Sequence, residues 1–272
     1  VAVEVPSYAP VSQFARALGC EVIPFSRAPS NPYDYGPWKI SRGELEEIID
    51  DVCAVVITPL QNPTGWMMDI DDQKWLSNIC QRFGIGIVSD EVYLDSTKGT
   101  EYYRPMHLLG PHCVSVNSLT KCYGLGALRI GWIIGSTEIA TNAVRAMHSL
   151  QGSLAMPSLQ LAKLAWPHLD STLEYIKERR AENLPLLEKV LSDNGIDWSP
   201  PPTGIFGCFA LPENIDSQWF VEDVCSKHGL LAVPGLMFSP KLKNFVRVAW
   251  GSNKSLFTAS MEALNHSLKE LK

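Results

Sequence analysis

The sequence predicts an α/β fold in which a mostly parallel, doubly wound sheet is followed by a smaller α+β domain. Up to Gly135, short and continuously apolar runs alternate with stretches of helical periodicity, which is typical of a parallel sheet covered on both faces. Proline, glycine and asparagine separate these segments. Beyond residue 200 the order changes to strand, helix, strand, strand and helix, which indicates a second unit.

The strands of the first half are predicted where apolar or β-branched residues follow one another. They lie at residues 1–5, 21–25, 53–58, 85–89, 113–116 and 130–134. Helices are predicted where apolar residues recur at helical spacing between recognisable start and stop residues. They lie at residues 11–18, 71–83, 137–149 and from 157 onward. A short helix begins at Ser41, where Glu44 three residues on makes a capping box, and residues 29–38 are predicted as a loop.

A long amphipathic helix over about residues 170–194 is predicted to bridge the two halves, and Pro185 should kink or split it. The second half has predicted strands at 205–211, 231–234 and 245–250, and predicted helices at 217–228 and 255–271. We therefore divide the chain into a large domain at 1–168 and a small domain, with the bridging helix, at 169–272. A cleft between two domains is a usual place for a small-molecule site.

Composition narrows the classes of function. The net charge of −6 is spread along 272 residues, so neither a nucleic-acid footprint nor a polybasic membrane patch is visible. No apolar run is long enough to span a bilayer, and the seven cysteines occur singly, without a CxxC pair. No histidine lies in a motif, and no metal site is predicted. These features favour a cytoplasmic protein with a small-molecule partner.

Polar residues follow the ends of successive predicted strands, where ligands of open α/β sheets bind. Tyr8 follows the first strand, and the turn Asn62-Pro-Thr-Gly65 follows the strand ending at Thr58. Asp90 and Tyr93, and then Ser118 and Lys121, follow the next two strands. Arg129 comes eight residues after Lys121. The set is listed along the chain as Tyr8, Asn62, Asp90, Tyr93, Ser118, Lys121 and Arg129.

Each of these residues also has an ordinary structural interpretation when it is taken alone. Lys121 could be a solvated loop lysine, Asp90 could cap a helix, and Asn62 could belong to a generic turn. Tyr8 and Tyr93 could be amphipathic residues at a rim. Arg247 is harder to explain in this way, because an arginine in the apolar run 245–249 needs an anionic partner.

Taken together, the motifs resemble the class I/II aminotransferases, which are pyridoxal-phosphate enzymes of fold type I. The Asn-Pro-Thr-Gly turn, the Asp-x-x-Tyr, the Ser-x-x-Lys and the arginine eight residues on occur in the order that the family has. The resemblance runs from Val1 to the C-terminus. It implies that the large domain at 1–168 binds pyridoxal phosphate.

The resemblance implies a role for each catalytic residue. Lys121 would form the Schiff base with the cofactor aldehyde and then carry a proton to and from the substrate's α-carbon. Asp90 would pair with the pyridine nitrogen and keep it protonated, which makes the ring a better electron sink. Asn62 and Tyr93 would donate hydrogen bonds to the phenolic oxygen of the ring.

The remaining residues would bind the cofactor and the substrate. Tyr8 would stack on the ring, and Ser118 and Arg129 would hold the phosphate. Arg247 matches the arginine that holds the substrate α-carboxylate, beside Asn62. Family members also carry an upstream segment with a glycine-rich phosphate-binding turn, and nothing in this sequence corresponds to it, so we expect sequence to be missing upstream.

The function that follows is an aminotransferase that moves an amino group between an amino acid and a 2-oxo acid, expected as a homodimer. Three alternatives stay open. The same cofactor supports lyases and synthases, such as relatives of aminocyclopropane-carboxylate synthase or carbon-sulfur lyases. A ligand-sensing module of a transcription regulator would need a DNA-binding segment upstream. A truncated, inactive homologue would fold poorly alone or fail to take up the cofactor.

Overall fold

The computed structural model describes residues 1–31 and 33–271. Residue 32, within the predicted loop 29–38, and residue 272, the last of the predicted small domain, lie outside the described residues. The described chain has an α/β fold with a seven-stranded, mostly parallel sheet and a separate three-stranded sheet. The predicted fold class is therefore confirmed.

The large sheet is doubly wound. Its strands are β1 (Ala2–Val5), β2 (Ile23–Pro29), β3 (Trp38–Ile40), β4 (Ala54–Ile57), β5 (Gly86–Asp90), β6 (Cys113–Ser118) and β7 (Gly131–Ile134). They are ordered β3-β2-β1-β4-β5-β6-β7; the five inner strands are parallel and the two edge strands antiparallel. After β1 the chain forms β2 on one side of β1, and it later forms β4 on the other side of β1. The carboxyl ends of β1 and β4 therefore flank a topological switch point, where such sheets bind ligands.

Helices connect and cover these strands. They are α1 (Ala9–Ala17), α2 (Arg42–Ile48), α3 (Ile70–Phe83), α4 (Thr137–Leu150), α5 (Met156–Ala165) and α6 (Leu169–Asp193). The main core lies between the central strands and the apolar faces of α2 and α3, where Val55 and Ile87 are buried against Leu45 and Leu76. Single turns of 3₁₀ helix occur at Ile49–Asp51, Leu94–Thr97, Met106–Leu109, Gly126–Leu128, Trp166–His168, Gly235–Met237 and Pro240–Leu242.

The structure corrects three local predictions. β2 extends to Pro29 and β3 begins at Trp38, so strand replaces part of the predicted loop. The capping box at α2 does not form: the Ser41 side chain caps nothing, and Glu44 Oε2 accepts from the Ser26 N–H at 2.6 Å. Of the two effects predicted for Pro185, the split does not occur, because α6 runs unbroken for 25 residues, and the kink stays a prediction. We infer that side-chain packing on both sides of Pro185 stabilises α6 by more than the one backbone hydrogen bond that the proline removes.

The smaller unit consists of an antiparallel sheet and helices. Its strands are β8 (Phe206–Ala210), β9 (Val233–Pro234) and β10 (Phe245–Ala249), in the order β8-β10-β9. Its helices are α7 (Ser217–Trp219), which continues as a π-helical turn (Phe220–Val224) and a 3₁₀ turn (Cys225–His228), and α8 (Lys254–Lys269). Leu187 of α6 packs into the core of this unit, whereas Leu173 of α6 packs into a cluster of the first half. The boundary between residues 168 and 169 stays a prediction.

Five of the seven cysteines are buried, at Cys80, Cys113, Cys122, Cys208 and Cys225. No helix in the described ranges 1–31 and 33–271 combines the length and apolar character that a membrane crossing requires.

Candidate active site

A cavity of about 410 Å³ opens at the carboxyl ends of β1, β4, β5 and β6. This size lies within the range of small-molecule sites, about 300–1,000 Å³. Six of the predicted site residues line it: Tyr8, Asn62, Asp90, Tyr93, Lys121 and Arg247. The first five come from the large sheet, and Arg247 lies on β10 of the smaller unit. The structure therefore brings residues together that are far apart in the sequence.

Asp90 is the last residue of β5, and it both shapes the turn and faces the cavity. Its Oδ1 accepts a hydrogen bond from the Val92 N–H at 3.2 Å within the turn, but Asp90 does not cap a helix, since the N-cap of the following 3₁₀ turn is Tyr93. Burial raises the pKa of this carboxyl group, against the opposing effects of the Val92 N–H and the charge of Lys121. A partly desolvated carboxylate near an amine is well placed to pair with a cationic ring nitrogen.

Lys121 lies three residues beyond the end of β6, with an exposed side chain. Its Nζ is 5.9 Å from the ring centroid of Tyr93. Tyr93 itself is buried, and its ring meets Phe206 of β8 edge to face at 4.7 Å. Burial raises the pKa of the Tyr93 hydroxyl, while the guanidinium of Arg247 acts in the opposite direction. The phenol is therefore held neutral, as a donor, next to the lysine.

Two buried polar atoms in the cavity lack partners. The Oδ1 of Asn62 and the Nε of Arg247 form no hydrogen bond within the part of the chain that the structure describes. The guanidinium carbon of Arg247 lies 4.3 Å from the ring centroid of Phe206, so one face of the group is covered. Buried polar groups are normally satisfied, and a carboxylate ligand would satisfy an arginine of this kind.

Ser118 and Arg129 do not line this cavity. They line an adjoining cavity of about 500 Å³, and Val92 forms part of the wall of both. Arg129 is exposed, adopts a left-handed backbone with φ 55°, and donates from Nη1 to the Gly126 carbonyl oxygen at 3.3 Å. Ser118 and Arg129 therefore lie next to the cavity that the other six predicted site residues line, in a second cavity that residues of α4 also line.

Several residues of the site lie outside the predicted motifs. Thr58 lines the cavity, and the smaller unit contributes Val233, Met237 and Phe238. Glu4 and Arg27 bind the backbone of Thr58, and both are buried. The signal that identified Arg247, a charged residue within an apolar strand, is also present at Glu4 and Arg27.

The cavity fits pyridoxal phosphate in its chemistry. It presents an amine, a carboxylate, a phenol, an amide and a guanidinium, and the buried Nε of Arg247 has no hydrogen-bond acceptor within the described residues. Asp90 suits the ring nitrogen, Asn62 and Tyr93 suit the ring oxygen, and Lys121 suits the aldehyde.

Comparison with known proteins agrees with this geometry. The model of the family described as aminotransferase class I and II matches residues 1–264. The chain is 23% identical to the arginine–pyruvate transaminase AruH of Pseudomonas aeruginosa over 257 residues, which cover 91% of this chain and 63% of that protein. It is 25% identical to the capreomycidine synthase of Streptomyces vinaceus over 244 residues, which cover 88% of this chain and 61% of that protein.

A solved structure, that of a PLP-dependent aminotransferase from Streptococcus suis, superposes with a TM-score of 0.89 at 22% identity. The superposition covers 100% of this chain and 71% of that one, so the two share a fold. The chain spans less than two thirds of the length of the two curated relatives. The match over residues 1–264 shows that this chain belongs to the class I and II aminotransferase family.

Proposed function

We propose that this chain is the catalytic part of a pyridoxal-phosphate-dependent aminotransferase that moves an amino group between an amino acid and a 2-oxo acid. The observation that carries the proposal is the convergence of Lys121, Asp90 and Arg247 on one cavity, in which a guanidinium nitrogen is buried without a partner. An amine, a ring-nitrogen partner and a carboxylate receptor are the three groups that this reaction needs.

The residues at the centre of the cavity would act on the reacting atoms. The bound cofactor supplies an electron sink for negative charge at the substrate's α-carbon. Lys121 Nζ would hold the cofactor aldehyde and, once displaced by the substrate amine, would take the proton from the α-carbon and return it. Asp90 would keep the ring nitrogen protonated. Asn62 and Tyr93 would donate to the ring oxygen.

The residues at the edge of the cavity would bind and orient. Tyr8, whose side chain is 48% exposed, would stack on the ring. Arg247 would bind the substrate α-carboxylate by two parallel hydrogen bonds, and the amide of Asn62 lines the same cavity. Ser118 and Arg129 would hold the phosphate in the adjoining cavity, where Arg129 is exposed and able to pair with an anion.

The test is cofactor attachment. Purified protein mixed with pyridoxal phosphate should develop a visible absorption band, and borohydride reduction should fix the cofactor on the peptide that contains Lys121. Lys121→Ala should lose both signals. Lys98→Ala should keep both, because Lys98 lies in another cavity with the Tyr123 hydroxyl 3.5 Å from its Nζ. A folded protein without a band would contradict the proposal and favour an inactive homologue.

A lyase or synthase of the same fold is the second candidate, because capreomycidine synthase is among the relatives. The two reactions differ in stoichiometry. Without an acceptor, an aminotransferase should release one 2-oxo acid for each bound cofactor and then stop. A lyase or synthase should turn over repeatedly with a single amino acid. Product counted against bound cofactor therefore distinguishes them.

We also propose a cytoplasmic homodimer with a large domain at 1–168 and a small domain at 169–272. Exposed apolar side chains on the helices support an assembly, and they include Phe14, Leu18, Val144, Leu150, Leu161, Leu164 and Trp166. Analytical ultracentrifugation should give twice the chain mass, cell fractionation should place the protein in the cytoplasm, and limited proteolysis should release fragments that meet near residue 168.

A further inference from the structure

Arg27 is a buried arginine whose hydrogen bonds run to the active-site loop. It lies on β2, is 1% exposed, and its Nη1 is 3.5 Å from Glu4 Oε2 on the neighbouring strand β1. Burial lowers the pKa of the guanidinium, and the charge of Glu4 opposes this effect. A charge at such a position is retained only if hydrogen bonds replace its lost hydration.

Those hydrogen bonds reach both ends of the loop at residues 58–66. Nη1 donates to the carbonyl oxygens of Thr58 at 3.1 Å and Pro59 at 3.3 Å, and Nη2 donates to those of Pro59 at 3.3 Å and Trp66 at 2.7 Å. Nε donates to Trp38 at 3.4 Å. A planar fork with five N–H groups can serve several carbonyls at once, which an ammonium group on a flexible stem does less well.

Glu4 completes the anchor. Its Oε1 accepts from the Thr58 N–H at 2.5 Å, so Glu4 and Arg27 hold the N–H and the carbonyl of the same residue. Inside the loop, the Gln61 N–H donates to Trp66 at 3.0 Å and the Gly65 N–H donates to Gln61 at 2.7 Å. The closed loop is therefore fastened at its base to β1 and β2.

Asn62 lies at the middle of this loop, and it depends on the anchor. Its side chain is 5% exposed, and its Oδ1 forms no hydrogen bond with the residues at 1–31 and 33–271. No hydrogen bond to this oxygen therefore fixes the orientation of the amide within the described chain. The backbone of the loop sets where the amide points, and Arg27 fixes the two ends of that backbone.

We propose that Arg27, together with Glu4, is a positioning residue that aims the amide of Asn62 at the cofactor ring oxygen. The inference rests on the proposed function, because it takes the role of Asn62 from there. Arg27 touches neither cofactor nor substrate in this proposal, and it acts through the loop.

The first arm of the test uses the loaded protein. A donor aimed at the ring oxygen favours its ionised form, so loss of that donor raises the pH at which the visible band titrates. Arg27→Lys and Asn62→Ala should each raise this midpoint by about 0.5 to 1 pH unit. Arg27→Lys should add nothing in the Asn62→Ala background, since the donor is already gone.

Arg180→Lys is the matched control. Arg180 is a partly buried guanidinium that also binds backbone carbonyls, those of Pro201, Thr203 and Gly204, but it lies outside the cavity. It should leave the midpoint unchanged even if it lowers stability. An unchanged midpoint in Arg27→Lys, or full additivity with Asn62→Ala, would overturn the proposal.

The second arm needs no cofactor. In the cofactor-free protein, Arg27→Lys should speed hydrogen exchange of the Gln61 and Gly65 amides by at least about tenfold, whereas Arg180→Lys should not. Unchanged exchange in Arg27→Lys would show that Arg27 does not hold the loop, and would overturn the inference on its own. If the parent protein forms no visible band, the proposed function fails and the role towards the cofactor fails with it. The exchange result then still decides whether Arg27 anchors the loop.

Discussion

Arg247 brings the smaller unit into the chemistry of the larger one. It lies on β10, and its guanidinium packs 4.3 Å from the ring centroid of Phe206 on β8. Phe206 in turn meets Tyr93 edge to face at 4.7 Å. A chain of three side chains therefore couples the position of the carboxylate receptor to the phenol beside Lys121.

Arg247→Lys should raise the KM for the amino donor by about 10- to 100-fold, with a smaller change in kcat. The physical reason is the loss of two parallel charge-assisted bonds, since one ammonium group cannot fork onto a carboxylate. Steady-state kinetics with the donor varied would measure it. Arg42→Lys is the control, because Arg42 pairs with Asp72 at 2.7 Å, outside the cavity. An unchanged KM in Arg247→Lys would remove the proposed carboxylate receptor.

The sequence predicted single residues best where a motif lies at a strand end. Asn62, Asp90, Tyr93 and Lys121 line the cavity because parallel strands place their carboxyl ends at one edge. Gly65 explains why its motif ends in glycine: its φ is 77°, and a side chain there would collide with the Phe206 carbonyl oxygen.

Residues outside the motifs could not be found in this way. Glu4 and Arg27 lie 23 positions apart in the sequence and meet only because β1 and β2 are neighbours. Phe238 and Val233 reach the cavity from the smaller unit, and no local pattern fixes how that unit docks.

At the scale of elements, helix caps show where sequence patterns and structure differ. Ser41 with Glu44 fits a capping box, but Glu44 binds the Ser26 N–H instead. Asp69 does cap its helix, since its Oδ1 accepts from the Asp72 N–H at 2.7 Å at the start of α3. The Glu44 side chain therefore binds the backbone of β2, although the local pattern predicted that it would bind within its own helix, α2.

Asp69→Ala should lower the free energy of unfolding by about 1 kcal/mol, because it leaves an N–H of the first turn without a partner. Ser41→Ala should cost less than about 0.5 kcal/mol, since its hydroxyl caps nothing. Asp69→Asn distinguishes the contribution of the cap from that of the exposed ion pair with Lys39. Asparagine keeps an oxygen that can accept from the Asp72 N–H but loses the charge that pairs with Lys39. Urea unfolding would measure all three. Equal losses in Asp69→Ala and Ser41→Ala would contradict the assignment of caps.

At the scale of the whole molecule, Glu4 ties stability to pH. Burial raises its pKa from the ordinary value of 4.5 to about 7, against the charge and hydrogen bonds of Arg27 and Thr58, and the nearby charge of Asp90 raises it further. The folded protein therefore binds a proton between these two pH values that the unfolded chain releases. Its contribution to stability is fully present below pH 4.5 and is lost as the pH rises through 7.

Glu4→Gln should remove this dependence. The free energy of unfolding of the parent should fall relative to that of Glu4→Gln between pH 5 and pH 8, by an amount on the order of 3 kcal/mol. Denaturant titrations at several pH values would measure the two curves. Curves that stay parallel over this range would show that Glu4 does not titrate with folding.

Helix α6 has a further consequence for how the molecule comes apart. Its 25 residues make a rod of about 38 Å, with Leu173 in a core cluster of the first half and Leu187 in that of the smaller unit. If the part of α6 in one cluster unfolds, the helix that the other cluster packs against is disturbed as well. We therefore expect the two halves to melt in a single cooperative transition, with the shared helix transmitting disorder from one to the other.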